Sequence, residues 1–415
     1  MNYGGEIMQR VLIIGGGPSG FAAAISAKKP YNQVQILERN STPLKKLLMT
    51  GNGKCNYLHD SYKKEDYHSE KSEKIEEIIC EENIKKVEDF FDDLGIVPKI
   101  KNGNYYPFSM QATTIKKVLE KKAKDCGVEV LCHSLVTKIE KKEDGFLVTC
   151  NEEVLECDIL ILATGSYAYP KTGSDGMGYH FLESFGHSLV KPLPALVQLI
   201  GRGTYFKEWD GIRSEVALEL FEDDLKIADE EGEIQLTNYG ISGICVFNLS
   251  HFVTRGLDVR KKEVIKINFV PFEKEDFPSW LPSYCKKHPT KNLEEVLSSF
   301  LNSKLANVIL QQSNLKRDTF YSELSPNEQN LLCQNLLTFP VEIIGTKDFN
   351  SCQICNGGVD LDDISSSTME SKKVKNLYIV GELLDLNGNC GGFNLTTCWL
   401  SGILAGEGIL KNDSN

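Results

Sequence analysis

Gly15, Gly17 and Gly20 in the run GGGPSG have the spacing GxGxxG. Each glycine answers a separate need: the first permits a tight turn, the second lets backbone approach a pyrophosphate, and the third lets a helix pack on a strand. Pro18 and Ser19 belong to the same turn. Glu38 stands 18 positions after Gly20, at the end of the apolar run VQIL, where a carboxylate accepts hydrogen bonds from a ribose; Arg39 follows it. Because a β-branched run (VLII) precedes the glycines and an Ala-rich stretch follows them, these parts predict dinucleotide binding.

The fingerprint serves NAD and FAD alike, and the far end of the chain separates them. Gly381 and Glu382 follow an apolar run, and Gly391, Gly392, Phe393 and Asn394 open a helix of small apolar residues. A carboxylate there suits a ribityl chain, and N–H groups at a helix start favour the negative charge a reduced flavin carries. The expectation is FAD. No second GxGxxG follows the first, so NAD(P)H would dock transiently near the flavin rather than on a domain of its own.

Other candidates read more plainly. Cys352 and Cys355 match CxxC, but without a second pair or nearby histidines they read as small packing residues rather than a zinc or redox site. Cys55 and Cys390 both lie in flavin-facing segments and could approach each other, again with packing as the expectation. His180 and His187 flank a helix end as surface or capping residues, and no metal motif occurs.

These residues need elements to hold them. The N-terminal region reads strand, helix, strand, the start of a parallel sheet. Residues 72–94 carry apolar positions at helical spacing, 134–157 read as a three-stranded antiparallel meander, and DILILA (158–163) reads as a strand buried on both faces. The expected architecture is α/β: a Rossmann-like FAD-binding domain of the two-dinucleotide-binding flavoprotein type, from residues 1–188 and 340–415, interrupted by an inserted β-rich domain (189–275) and a small helical domain (276–339).

The chain has 415 residues and a formal charge of −12, which argues against nucleic acid or an anionic membrane as partner. A small-molecule substrate is expected instead. Thirteen scattered cysteines imply a reducing, cytoplasmic setting, and MNYGGEIMQR reads as a short frayed leader rather than a secretory signal.

Four long motifs, KLLMTGNGKCN (46–56), ATGSYAYPKTGSDGMGY (163–179), GEIQLTNYGISGICVFNLS (232–250) and TMESKKVKNLYIVGELLDLNGNCGGFNL (368–395), together resemble the aminoacetone-oxidase-like, or YhiN-like, NAD(P)/FAD-dependent oxidoreductases, a family with bile-acid-reductase-type members. The resemblance implies that Gly15, Gly17, Gly20 and Glu38 hold the ADP half of FAD. It implies that Lys46, Thr50, Gly51, Gly53, Cys55 and Asn56 belong to a loop beside the pyrophosphate and ring, and that Ala163, Thr164 and Gly165 turn against the cofactor. Val136 would face the adenine through its backbone, and Gly381, Glu382, Gly391, Gly392, Phe393 and Asn394 would hold the ribityl chain and pyrimidine edge. The chain departs from the family at Lys54, where Arg is frequent, and at Cys352, where a small residue is usual.

Tyr167, Tyr169 and Lys171 follow the ATG turn and are the candidates for the substrate side. The leading expectation is an FAD enzyme that passes hydride from NAD(P)H through flavin N5 to an unsaturated organic substrate, an enone or steroid-like molecule. An amine or aminoketone oxidase using oxygen and a flavin-binding module without turnover stand as alternatives.

Overall fold

Val11, Leu12, Ile13 and Ile14 are all buried, and a run with apolar residues on both faces forms a central parallel strand. The computed structural model describes residues 9–30, 32–270 and 276–412. Residues 1–8 of the expected leader lie outside that set, whereas Gln9 and Arg10 already belong to the first strand.

Strands β1 (Gln9–Ile14), β2 (Asn32–Leu37), β3 (Glu129–Leu131), β4 (Ile159–Leu162) and β5 (Leu377–Ile379) form a five-stranded sheet in the order β5-β4-β1-β2-β3, every pairing parallel. Helices α1 (Pro18–Ala27) and α2 (Phe393–Asn412) pack tightly together beside it. Their closeness has a steric cause. A Cβ on Gly402 would lie 2.4 Å from the Ser19 carbonyl oxygen, and one on Gly406 would lie 2.5 Å from Ser26 Cβ.

The meander expected at 134–157 is present as Val136–Lys142, Gly145–Cys150 and Glu153–Cys157. The single helix expected at 72–94 is two, Ser72–Ile78 and Glu81–Asp93. Between them Ile79 and Cys80 are extended, and the buried Asn83 amide donates to the Ile78 carbonyl at 2.8 Å, satisfying an end that a continuous helix would not have.

The chain divides into two compact units, Met1–Pro194 with Cys352–Asn415, and Ala195–Ser351. The edges of the insertion read from sequence, 189 and 339, fall outside and inside the second unit respectively. In that unit six strands close a barrel in the order Leu199–Gly201, Gly240–Gly243, Leu225–Thr237, Arg213–Glu222, Glu263–Asn268 and Phe339–Thr346. Leu218, Leu236, Ile265 and Val341 of the barrel share one core with Leu305, Ile309 and Leu336 of the following helices. The separation expected between residues 275 and 276 meets the edge of the undescribed segment 271–275. Among the described residues no helix is long and apolar enough to cross a membrane.

Candidate functional site

The chain leaves β1 at Gly15 with φ of +111°, in the left-handed region, and a Cβ there would lie 2.2 Å from the Ala163 carbonyl oxygen. At Gly20 a Cβ would lie 2.0 Å from the Gly15 oxygen. Gly17 behaves differently, since a Cβ on it would meet nothing within 4 Å. Two fingerprint glycines therefore make room for protein, and the third opens onto free space. Gly17 is also the N-cap of α1, with no side-chain cap and no acidic residue in the first turn. The first N–H groups of the helix are left for an anion, an arrangement that fits the pyrophosphate of a dinucleotide.

Glu38, directly after β2, is buried. Its Oε2 accepts from the Gly16 N–H at 2.9 Å, and its Oε1 accepts from the Asn40 backbone and side-chain amides, both at 2.7 Å. The carboxylate is thereby fixed against the fingerprint turn. Oε1 is fully engaged, and Oε2 keeps a second lone pair for a hydroxyl donor. Arg39 next to it pairs with Asp175.

At the other end, Gly381 lies at the end of β5 with φ of +73°, its N–H donating to Ser401 Oγ at 2.9 Å. The Glu382 carboxylate accepts from Lys46 Nζ at 2.9 and 2.7 Å and from Ser166 Oγ at 2.8 Å, and Tyr179 OH donates to the Glu382 carbonyl. Burial alone would lower the Lys46 ammonium, but the Glu382 carboxylate outweighs it and holds the group above its usual value.

A cleft beside this pair is lined by Cys355, Gly381, Glu382, Asn387, Asn394 and Cys398 among others. Asn387 is buried, and both polar atoms of its amide lack a hydrogen-bond partner, as do the buried Thr164 Oγ1 and Asn56 Oδ1. A native structure leaves few such groups unsatisfied. Of these only Asn387 lines the cleft, and its amide donor and acceptor awaiting partners there fit the polar edge of a flavin.

The remaining sequence candidates fall into place around these. Thr50, Gly51, Gly53, Cys55 and Asn56 form an irregular loop in which the Cys55 N–H closes onto the Thr50 carbonyl at 3.0 Å. Burial pushes the Cys55 thiol up to about 12 and Cys390 to about 11, and neither is in a disulfide. Gly391 and Gly392 have φ of +135° and +100°, and the Phe393 ring stacks on His59 with centroids 4.3 Å apart. The Asn394 amide clamps the preceding turn, exchanging hydrogen bonds with Gly388 N and O at 2.9 and 2.7 Å. Ala163 continues β4 by donating to Ile14, Gly165 has φ of +75°, and Val136 opens the meander opposite Cys150.

Tyr167 packs on Tyr179 with centroids 5.2 Å apart. The turn carrying Tyr169 and Lys171 leans to the Glu38 side: Lys45 Nζ donates to the Lys171 carbonyl, and Asn40 Nδ2 to that of Thr172. His187 is a cap, its ring bridging the Leu182 carbonyl at 3.1 Å and Ser371 Oγ at 2.7 Å. Sequence reasoning missed Asn387, Ser166 and Cys398. Ser166 and Asn387 sit inside the motifs 163–179 and 368–395 and could have been found there, whereas Cys398 carries no local signal.

The family described as HI0933-like protein Rossmann domain matches residues 9–408 of this chain. The chain is similar to a 3-dehydro-bile acid delta(4,6)-reductase of Clostridium scindens, 34% identical over 403 residues that span 96% of this chain and 98% of that protein. It is also similar to a ribosomal RNA dihydrouridine synthase of Escherichia coli, 26% identical over 409 residues, 97% and 98% of the two. Among solved structures, the 3-ketosteroid-delta4-(5alpha)-dehydrogenase of Rhodococcus jostii RHA1, determined with 4-androstene-3,17-dione, shares the fold with a TM-score of 0.50 at 13% identity over 98% of each chain.

Proposed function

Because the chain belongs to the HI0933-like Rossmann domain family and is an FAD-dependent oxidoreductase, we propose that it reduces a carbon–carbon double bond conjugated to a carbonyl, in a steroid-like small molecule, with NAD(P)H as the transient hydride source. One observation carries this reading above the others: the identity of 34% over 96% of the chain to a reductase whose name specifies such a double bond. Bound FAD supplies the hydride chemistry at N5.

The chain's own residues supply the rest. The open face of Gly17 and the bare start of α1 receive the pyrophosphate, and Glu38 receives the ribose. Lys46, Glu382 and Ser166 form a charged, hydrogen-bonded wall for the ribityl chain. Asn387 offers unspent hydrogen bonds to the ring's polar edge. The thirteen cysteines, eight of them buried and none in a disulfide, suit a reducing cytoplasm.

A second reading draws on the relative named for dihydrouridine synthesis. Uridine also presents a double bond conjugated to a carbonyl, so the chemistry is shared and the substrate differs. The net charge of −12 favours the small molecule. Anaerobic mixing decides between them. NADH or NADPH should bleach the flavin, and a 3-oxo-4-ene steroid should restore its colour without oxygen. Recovery with uridine-containing ribosomal RNA and not with the steroid would move the substrate to nucleic acid. Bleaching by an aminoketone but by neither nicotinamide, with peroxide formed in air, would make the enzyme an oxidase.

A further inference from the structure

Cys352 and Cys355 stand at the entry to the strand Ile354–Val359, every residue of which is buried. Both thiols are buried as well. Cys355 lines the same cleft as Glu382, Asn387 and Cys398, and Cys352 does not. The two thiols are hydrogen-bonded to each other, and Cys355 is also hydrogen-bonded to Ser166. Ser166 in turn donates to Glu382 at 2.8 Å. A chain of contacts therefore runs from Cys352 through Cys355 and Ser166 to the Lys46–Glu382 pair.

This arrangement divides the thiols by role. Burial alone would raise Cys355, but hydrogen bonding, from Cys352 above all, outweighs that and brings it below its usual value. Cys352 is pushed up, because its proton is shared with Cys355 and its own site is buried. Cys355 thus faces the cleft, and Cys352 stands off it, hydrogen-bonded to Cys355.

We propose that Cys352 and Cys355 are a dithiol–disulfide couple that exchanges two electrons with the flavin bound in this cleft. The proposal rests on the FAD reading above. Oxidation breaks two S–H bonds and makes one S–S bond. The electron pair and one proton pass to oxidised FAD, and the second proton leaves by way of Ser166 and the Glu382 carboxylate. The reverse transfer opens the disulfide with electrons from reduced FAD.

The test uses the FAD-loaded protein, oxidised with diamide, freed of excess reagent and titrated anaerobically with dithionite. Wild type should consume twice as many reducing equivalents per flavin as Cys352→Ser, the variant that leaves the cleft lining intact. The tryptic fragment 348–372 contains these two cysteines and no others. After diamide it should be lighter by two hydrogens and resist alkylation, and after dithionite it should take up two alkyl groups. Equal equivalents in wild type and variant, or full alkylation after diamide, would overturn the couple while FAD released on denaturation left the cofactor reading standing. A protein that holds no FAD would overturn both.

Discussion

A side chain at Gly17 would project into the space left for the pyrophosphate and touch no protein atom within 4 Å. Gly17→Val is therefore expected to cut FAD content at least tenfold while leaving the thermal midpoint of the apoprotein nearly unchanged. Gly20→Val should unfold the turn itself, since its Cβ would lie 2.0 Å from the Gly15 oxygen. Flavin released on denaturation, compared with melting of each apoprotein, separates the two outcomes. Glu38→Gln should weaken FAD binding by about 1–3 kcal/mol, as charged hydrogen bonds to the ribose become neutral ones; equilibrium dialysis at matched salt would expose an unchanged affinity. Single Ala variants of Cys55 and Cys390 should keep a reducible flavin, and a charge-transfer band lost in either would contradict their reading as packing residues. These residues were legible because turn, helix start and acid lie within one local stretch. The Lys46–Glu382 pair joins residues 336 apart, and no local pattern announces such a partnership.

At the scale of elements, the barrel holds a conflict that it must tolerate. Glu263 is 1% exposed, neither of its carboxylate oxygens has a partner, and it pairs across strands with Glu222. Burial first, then Glu222 and Asp223, push its carboxyl up to about 7 against the opposing pull of Lys261. Folding therefore raises its proton affinity, so stability is greatest below the ordinary carboxyl value and falls as pH climbs to about 7. The loss is on the order of 3 kcal/mol. Urea unfolding should show Glu263→Gln flattening this slope and stabilising the protein at pH 8; an unaltered slope would count against the buried carboxyl. The strands of this unit could be read from their alternation. Their closure into a barrel could not, because it depends on Phe339–Thr346 pairing back to Leu199–Gly201 across the intervening helices. The helix Ile244–Asp258 was missed for a related reason, being a mixed apolar run amid strand patterns.

For the molecule as a whole, the discontinuity of the first unit sets an order of events during synthesis. β4 waits for its outer partner β5, and α1 waits for α2, until the whole of Ala195–Ser351 has been made. At about 5–20 residues per second that interval lasts roughly 8–30 s. Through it the growing polypeptide shows the ribosome exit an unpaired sheet edge and the bare alanine face of α1. Glu382, needed to complete the cleft, is also still to come. Cofactor capture is thus a late event in the life of each nascent chain. Stalled or truncated products should be flavin-free and dependent on chaperones, however well the glycine turn has formed.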